Sequence, residues 1–388
     1  MKDKKFETQA IRAQLERSEY NEHSVPLYLT SSFIFDTAED MRAAFNDESN
    51  AFIYSRYTNP NNNEFVNKVC LMEGAEAGVS LATGMAAIYT TFMALLKSGD
   101  HIVSCSSVFG ATHALFTKYF PKLNISHSYF NINLPQDIEK LIKPETRFIY
   151  LETPTNPAIE LIDLELVAAV AKKHKVLLIV DNCFATPYLQ QPIKYGADLV
   201  IHSATKYMDG QGRVLGGVVV GKKDLIKEIY LFGRITGPSM SAFNAWMLSK
   251  SLETLALRMD RHCENALYIA EALEKNQALE NISYPFLKSH PHYAIAKKQM
   301  KAGGGIITIT VKGGYDAAKR FMDKLQLIKI SPNLGDSRTI ATHPASSTHC
   351  KLSEEERLSV GITQGLIRIS IGLENKEDIL KDVEQALK

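Results

Sequence analysis

Asp181, Ser203, Thr205 and Lys206 fall at the ends of two short apolar runs, LLIVDNC and DLVIHSATK. Each run is apolar at successive positions, the pattern of a strand covered on both faces in a mostly parallel sheet. Ligands of such sheets bind beyond the carboxyl ends of the strands. The two runs therefore deliver an acid, two hydroxyls and an amine to one rim. A lysine amine placed there can form an imine with an aldehyde and later move protons. Singly, each residue has an ordinary alternative: Asp181 as a helix cap, Ser203 and Thr205 as turn residues, Lys206 as a solvated lysine.

Jointly they are the set that pyridoxal phosphate (PLP) chemistry needs. Lysine carries the cofactor as a Schiff base, a carboxylate keeps the pyridine nitrogen protonated so that the ring is an electron sink, and hydroxyls and N–H groups hold the phosphate. Residues 82–87, ATGMAA, lie between a strand pattern and a helix pattern and offer N–H groups at a helix N-terminus, where the dipole favours an anion. In LIRISIG, alternation puts Ile367, Ile369 and Ile371 on one strand face and Arg368 with Ser370 on the other. An arginine so placed can clamp a carboxylate bidentately, where its ordinary alternative is an edge residue facing water.

These residues need a scaffold of alternating strands and helices. Strand-like runs include GVSLATG, DHIVSCSS, TRFIYLETP, KVLLIVDN, ADLVIHSATK and GGVVVG, separated by helix-like segments such as LELVAAVAKKHK. The pattern predicts an α/β fold, a large domain over 64–245 with a mostly parallel central sheet. Residues 1–63 are polar and aromatic and suit an arm against a neighbouring subunit. The stretch from Ser241 to about Asn276 reads as one or two helices leading into a smaller α+β domain over 246–388, with strands in GGIITITV and GLIRISIGL.

Composition excludes several function classes. A formal net charge of +1 over 388 residues supplies no basic field for nucleic acid or an anionic membrane. The N-terminus has no apolar signal region and no run is long enough to span a bilayer, so a cytoplasmic protein is expected. Five cysteines, none in a CxxC pair, read as free thiols. His343, His349 and Cys350 have a poor spacing for a metal, and none is expected. Gly210, Gly212 and Gly216 lead into a strand and not a helix, which argues against a dinucleotide loop. His202 and Cys183 read as packed core residues.

Longer strings carry a family resemblance. YSRYTNP, TGMAAI, FGATH, ETPTNP, VDNCFATP, SATKY, HPASSTH and GLIRISIGLE, spread over nearly the whole chain, resemble the Cys/Met-metabolism branch of fold-type-I PLP enzymes. That branch includes cystathionine synthases and lyases, methionine γ-lyases and homoserine-ester sulfhydrylases. The resemblance implies that Lys206 is the Schiff-base lysine, that Asp181 pairs with the pyridine nitrogen, and that Gly84, Met85, Ser203 and Thr205 hold the phosphate. It implies that Tyr54 and Arg56 reach the phosphate of a neighbouring subunit, and favours a tetramer of two active dimers. Asn156, Ser337 and Arg368 match groups near the ring oxygen and the substrate α-carboxylate.

Within the family, Phe109 is informative. Most members have a tyrosine there, stacked on the cofactor ring, and its hydroxyl can protonate a poor leaving group such as a thiolate. A carboxylate leaving group needs no such help, its conjugate acid having a pKa of about 4. Phe109 thus favours ester substrates over thioethers, and Ala111, where methionine γ-lyases have a cysteine, weakens a lyase reading further. EHSVPLYLTSSFIF, SSVFGATHALF, ATKYMDGQGRVLGG and NLGDSRTIATHPASSTH resemble most the sulfhydrylase members. The activity implied is transfer of sulfide onto Cγ of O-succinylhomoserine to give homocysteine. O-acetylhomoserine as substrate, cysteine as sulfur donor, thioether lysis and a non-catalytic role are the alternatives. Arg213, close after Lys206, is a candidate partner for the succinyl carboxylate.

Overall fold

The computed structural model describes residues 1–388, the side chain of Ser359 excepted. Seven strands form the first sheet: β1 (Ala77–Leu81), β2 (His101–Cys105), β3 (Ser126–Phe130), β4 (Thr146–Glu152), β5 (Leu177–Asp181), β6 (Leu199–Ser203) and β7 (Gly217–Gly221). Their spatial order is β1-β7-β6-β5-β4-β2-β3, and all are parallel except β7, which pairs antiparallel with both β1 and β6. The chain runs outward from β2 to β3, returns to β4 and then continues through β5 and β6 on the other side. The order therefore reverses between β2 and β4, where an open α/β sheet leaves a crevice at its carboxyl edge.

The strands are buried on both faces, which is why β5 and β6 carry unbroken apolar runs: Leu178, Ile179, Val180, Leu199, Val200 and Ile201 are all fully buried. Helices cover them, and local signals fix where those helices start. Asp163 Oδ1 accepts from the amides of Glu165 and Leu166, capping the helix Leu164–His174, whose last turn carries Lys172, Lys173 and His174 against the negative end of the dipole. The helix Pro60–Glu73 begins with proline in its first turn and Asn59 as its cap, a few residues before the expected end of the irregular opening region.

A second sheet of five strands holds β8 (Leu279–Ser283), β9 (Ile306–Val311), β10 (Lys329–Ile330), β11 (Ile340–Thr342) and β12 (Leu366–Ser370), in the order β10-β11-β12-β9-β8. The helices Gly314–Lys324 and Lys376–Leu387 pack against it through Ala318, Phe321, Ile379 and Val383. Between the sheets the expected helical stretch is two helices, Ala242–Leu252 and Leu255–Leu273. The longer one belongs to both cores. Its first half puts Leu255, Met259 and Cys263 into the core of the first sheet, and its second half puts Ala266, Ile269 and Leu273 into that of the second. No helix among the described residues is long and apolar enough to cross a membrane.

Candidate active site

The carboxyl edge of the first sheet opens into a cavity of about 440 Å³. Every strand end that borders it contributes a polar or aromatic group. Phe109 follows β2, Glu152 ends β4, Asp181 ends β5, Ser203 ends β6, and Thr205 and Lys206 lie just beyond. Arg368 enters from β12 of the second sheet, so the cavity is built where the two sheets meet.

The opposite wall is the start of the helix Gly84–Leu95. Thr83 caps it, its hydroxyl accepting from the Ala86 amide at 3.0 Å, which leaves the Gly84 and Met85 amides aimed past the helix end. Gly84 is required for this approach: a Cβ there would stand 2.6 Å from the Ser203 Cβ and 2.8 Å from its hydroxyl. A small anion can then meet amides from one side and Ser203 from the other. Thr205 instead spends its hydroxyl on the backbone of Gly216, at 3.0 and 3.3 Å, and so fixes the loop that carries Lys206.

Lys206 is mostly enclosed, and Nζ donates to Asn333 Oδ1 at 2.6 Å. Burial lowers the pKa of its ammonium; Cys183 opposes that shift and Arg368 adds to it. A lysine that sheds its proton more easily is a better nucleophile toward an aldehyde. Asp181 is held by the Cys183 amide at 3.0 Å and by a longer contact from the Tyr150 hydroxyl at 3.4 Å. Burial pushes the pKa of its carboxyl up, against the pull of the Cys183 amide, His202 and Tyr150.

Arg368 is only 2% exposed. One guanidinium nitrogen donates to Asn156 Oδ1 at 3.1 Å and the other to the carbonyls of Pro332 and Asn333 at 3.0 and 2.8 Å. Its Nε has no partner. A buried donor without an acceptor is costly. A substrate carboxylate would supply one. The cradle at Gly84, the free Nε of Arg368, and a carboxyl and an amine, Asp181 and Lys206, on the same cavity wall together fit PLP with an amino acid.

Similarity to known proteins agrees with this chemistry. A model of the Cys/Met metabolism PLP-dependent enzymes matches residues 7–388. The chain belongs to this family. Its cofactor is PLP, and its fold is that of the fold-type-I PLP enzymes. Among family members with assigned activities, the chain is 45% identical to an O-succinylhomoserine sulfhydrylase of Pseudomonas aeruginosa, over 98% of this chain and 95% of that protein. It is 42% identical to an L-methionine gamma-lyase of Porphyromonas gingivalis, covering 98% and 96%. A crystal structure of a putative O-acetylhomoserine (thiol)-lyase from Campylobacter jejuni, carrying N'-pyridoxyl-lysine-5'-monophosphate, matches with a TM-score of 0.95 at 33% identity, over 99% of this chain and 100% of the other.

Of the residues singled out in the sequence, Gly84, Met85, Phe109, Asn156, Asp181, Ser203, Thr205, Lys206 and Arg368 all line the one cavity. Tyr54 and Arg56 do not. Arg56 lies in a separate groove of the same chain with Tyr57 and Arg234, and its guanidinium packs over the rings of Tyr54 and Tyr57.

Two other candidates, Arg213 and Ser337, lie outside the cavity. Arg213 bonds Asp209 at 3.0 Å and also reaches Ser251, so its guanidinium braces the loop beyond Lys206 and stays out of the cavity. Ser337 sits in the turn beyond the cavity, its hydroxyl 3.4 Å from Asp336 Oδ1 and its backbone tied to Gly210 and Leu373. Asn333, in the same segment, lines the cavity, its side chain on Lys206 and its carbonyl on Arg368. Its partnership with Lys206 was not legible because it depends on a turn folding back between the sheets. Glu152, also missed, was visible only as the first letter of ETPTNP.

Proposed function

We propose that the protein catalyses γ-replacement on O-succinylhomoserine, exchanging succinate for sulfide to give homocysteine. The observation that carries this reading is Phe109. It borders the cavity alongside Asp181 and Lys206, where its ring would stack on the cofactor, and it has no hydroxyl. The identity to the Pseudomonas aeruginosa sulfhydrylase supports the same reading, with the lyases close behind.

PLP, when bound, supplies an electron sink for negative charge developing at Cα and Cβ of an amino acid. The protein's residues do the rest. Arg368, oriented by Asn156, clamps the α-carboxylate through its free Nε and so points the Cα–H bond toward Lys206. Lys206 Nζ removes the Cα proton and relays protons at Cβ, with Asn333 Oδ1 as its resting acceptor. Asp181 holds the proton on the ring nitrogen. The Gly84 and Met85 amides and Ser203 take the phosphate. The Cγ–O bond breaks as succinate leaves with its electron pair, and the Cγ–S bond forms from hydrosulfide. Succinate leaves as a weak base, so no acid is needed where a tyrosine hydroxyl would stand.

On the same reading Tyr54 and Arg56 complete the phosphate site of a second copy of the chain, in a dimer that pairs into a tetramer. The support is that both lie outside their own chain's cavity, with Tyr54 41% exposed.

Phe109→Tyr tests the carrying observation. The variant should gain release of 2-oxobutanoate from methionine, several-fold above the parent, because the leaving thiolate then finds a proton donor. No gain would remove Phe109 as the determinant of reaction type.

A further inference from the structure

Two carboxyl groups meet at the edge of the sheet, and so far only one has a role. Glu152 and Asp181 are direct cross-strand neighbours at the ends of β4 and β5. Both border the cavity, and Glu152 is 7% exposed. Its Oε1 accepts from the Phe109 amide at 2.7 Å, at the point where the chain turns from β2 into the helix Gly110–Ala114. The carboxyl therefore fixes the backbone of the residue whose ring covers the cofactor site.

The charges around the pair are unequal. Glu152 faces one charged neighbour, the Asp181 carboxyl on β5, with the neutral Tyr150 hydroxyl on β4 and Cys105 thiol on β2 beside it. Lys206 acts on Cys183, and His202 lies on the Asp181 side of the pair. Asp181 also has a second hydrogen-bond donor, the Tyr150 hydroxyl, which Glu152 lacks. Two like charges on adjacent strands in a poorly solvated pocket cannot both persist, and the proton stays on the group with less support.

We propose that Glu152 keeps its proton in the working enzyme and serves as a neutral anchor for Phe109, leaving Asp181 as the single anion at the nitrogen end of the ring. Glu152 is thus a positioning residue. The proton lets one buried carboxyl hold the stacking ring in place without adding a second negative charge beside Asp181. Burial and the Asp181 charge, which raise the pKa of the Glu152 carboxyl well above the carboxylate range, act in the same direction. The inference rests on the roles given to Phe109 and Asp181 above, and on no particular substrate.

Infrared difference spectra of the PLP-loaded enzyme test it, parent minus Glu152→Gln at mildly alkaline pH. The expected result is a protonated-carboxyl C=O band, shifted in heavy water, that the variant lacks; a difference confined to carboxylate bands would overturn the proposal. Glutamine is neutral and retains the oxygen acceptor, so the pH midpoint of the cofactor's visible band should be the same in this variant. A displacement of about one unit or more would mean that a charge had been removed, and would also overturn it. Glu152→Ala, which removes the acceptor of the Phe109 amide, should weaken PLP binding roughly tenfold, with glutamine restoring it. Glutamine and infrared readings decide the matter even if the alanine variant fails to fold. Neither depends on turnover, so their failure is separate from a failure of the sulfhydrylase reading.

Discussion

Lys206 Nζ and Asn333 Oδ1 lie 2.6 Å apart, a bond that joins the end of the first sheet to a turn of the second. It gives the amine a fixed resting acceptor between the two sheets. Asn333→Ala should therefore leave PLP bound but let the freed amine wander, lowering kcat roughly tenfold with little change in KM, the loss of one hydrogen bond to a charged group. Steady-state kinetics beside the cofactor's absorption spectrum checks this split.

The same geometry sets a pH dependence. Burial and Arg368 disfavour the Lys206 ammonium, so its pKa lies below that of an ordinary lysine. Capture of PLP needs the neutral amine. The rate of reconstituting PLP-free enzyme should therefore rise with pH around a midpoint below about 10.4. Asn333→Asp would place an anion against the ammonium, favour it, and move that midpoint upward. Stopped-flow absorbance at several pH values reads both.

Arg368 should govern substrate affinity and not cofactor affinity, since its free Nε is the unfilled donor. Arg368→Gln removes that donor and the charge. KM for the amino-acid substrate should rise roughly 100-fold, near the upper end for hydrogen bonds to charged groups, with PLP binding retained. An unchanged KM would place the α-carboxylate elsewhere.

Gly84→Ala forces a methyl group to 2.6 Å from Ser203 Cβ, on a strand with no room to retreat. The expected cost is about 1–3 kcal/mol of stability, the usual range for overpacking. The PLP dissociation constant should rise as well, because the helix end can no longer close on the phosphate. Calorimetry and PLP titration of the purified variant measure the two effects.

Much of the site was legible in the sequence because its residues sit at the ends of strands. The apolar runs before Asp181 and Ser203 mark β5 and β6, and parallel strands buried on both faces advertise themselves. β3, SHSYF, lies at the sheet edge with little apolar patterning and went unseen. β7 was visible as GGVVVG, but its antiparallel direction was not, because a strand's direction leaves no mark on its composition. Proximity in sequence is not proximity in space: Arg213, seven residues from Lys206, turns to Asp209. Asn333 lay hidden for the opposite reason. Its turn approaches the lysine only because Gly335 packs so tightly that a Cβ would come within 2.6 Å of the Tyr207 amide, a contact between segments far apart in the chain. Cross-strand register concealed the Glu152–Asp181 pair in the same way.

The most direct test of the proposed activity is a steady-state assay of the PLP-loaded protein with O-succinyl- and O-acetylhomoserine, each offered sulfide or cysteine, with methionine alone as the lyase control. Homocysteine from the succinyl ester and sulfide should dominate in kcat/KM. Dominant cystathionine, preference for the acetyl ester, or 2-oxobutanoate and ammonia from methionine without any replacement product would contradict it.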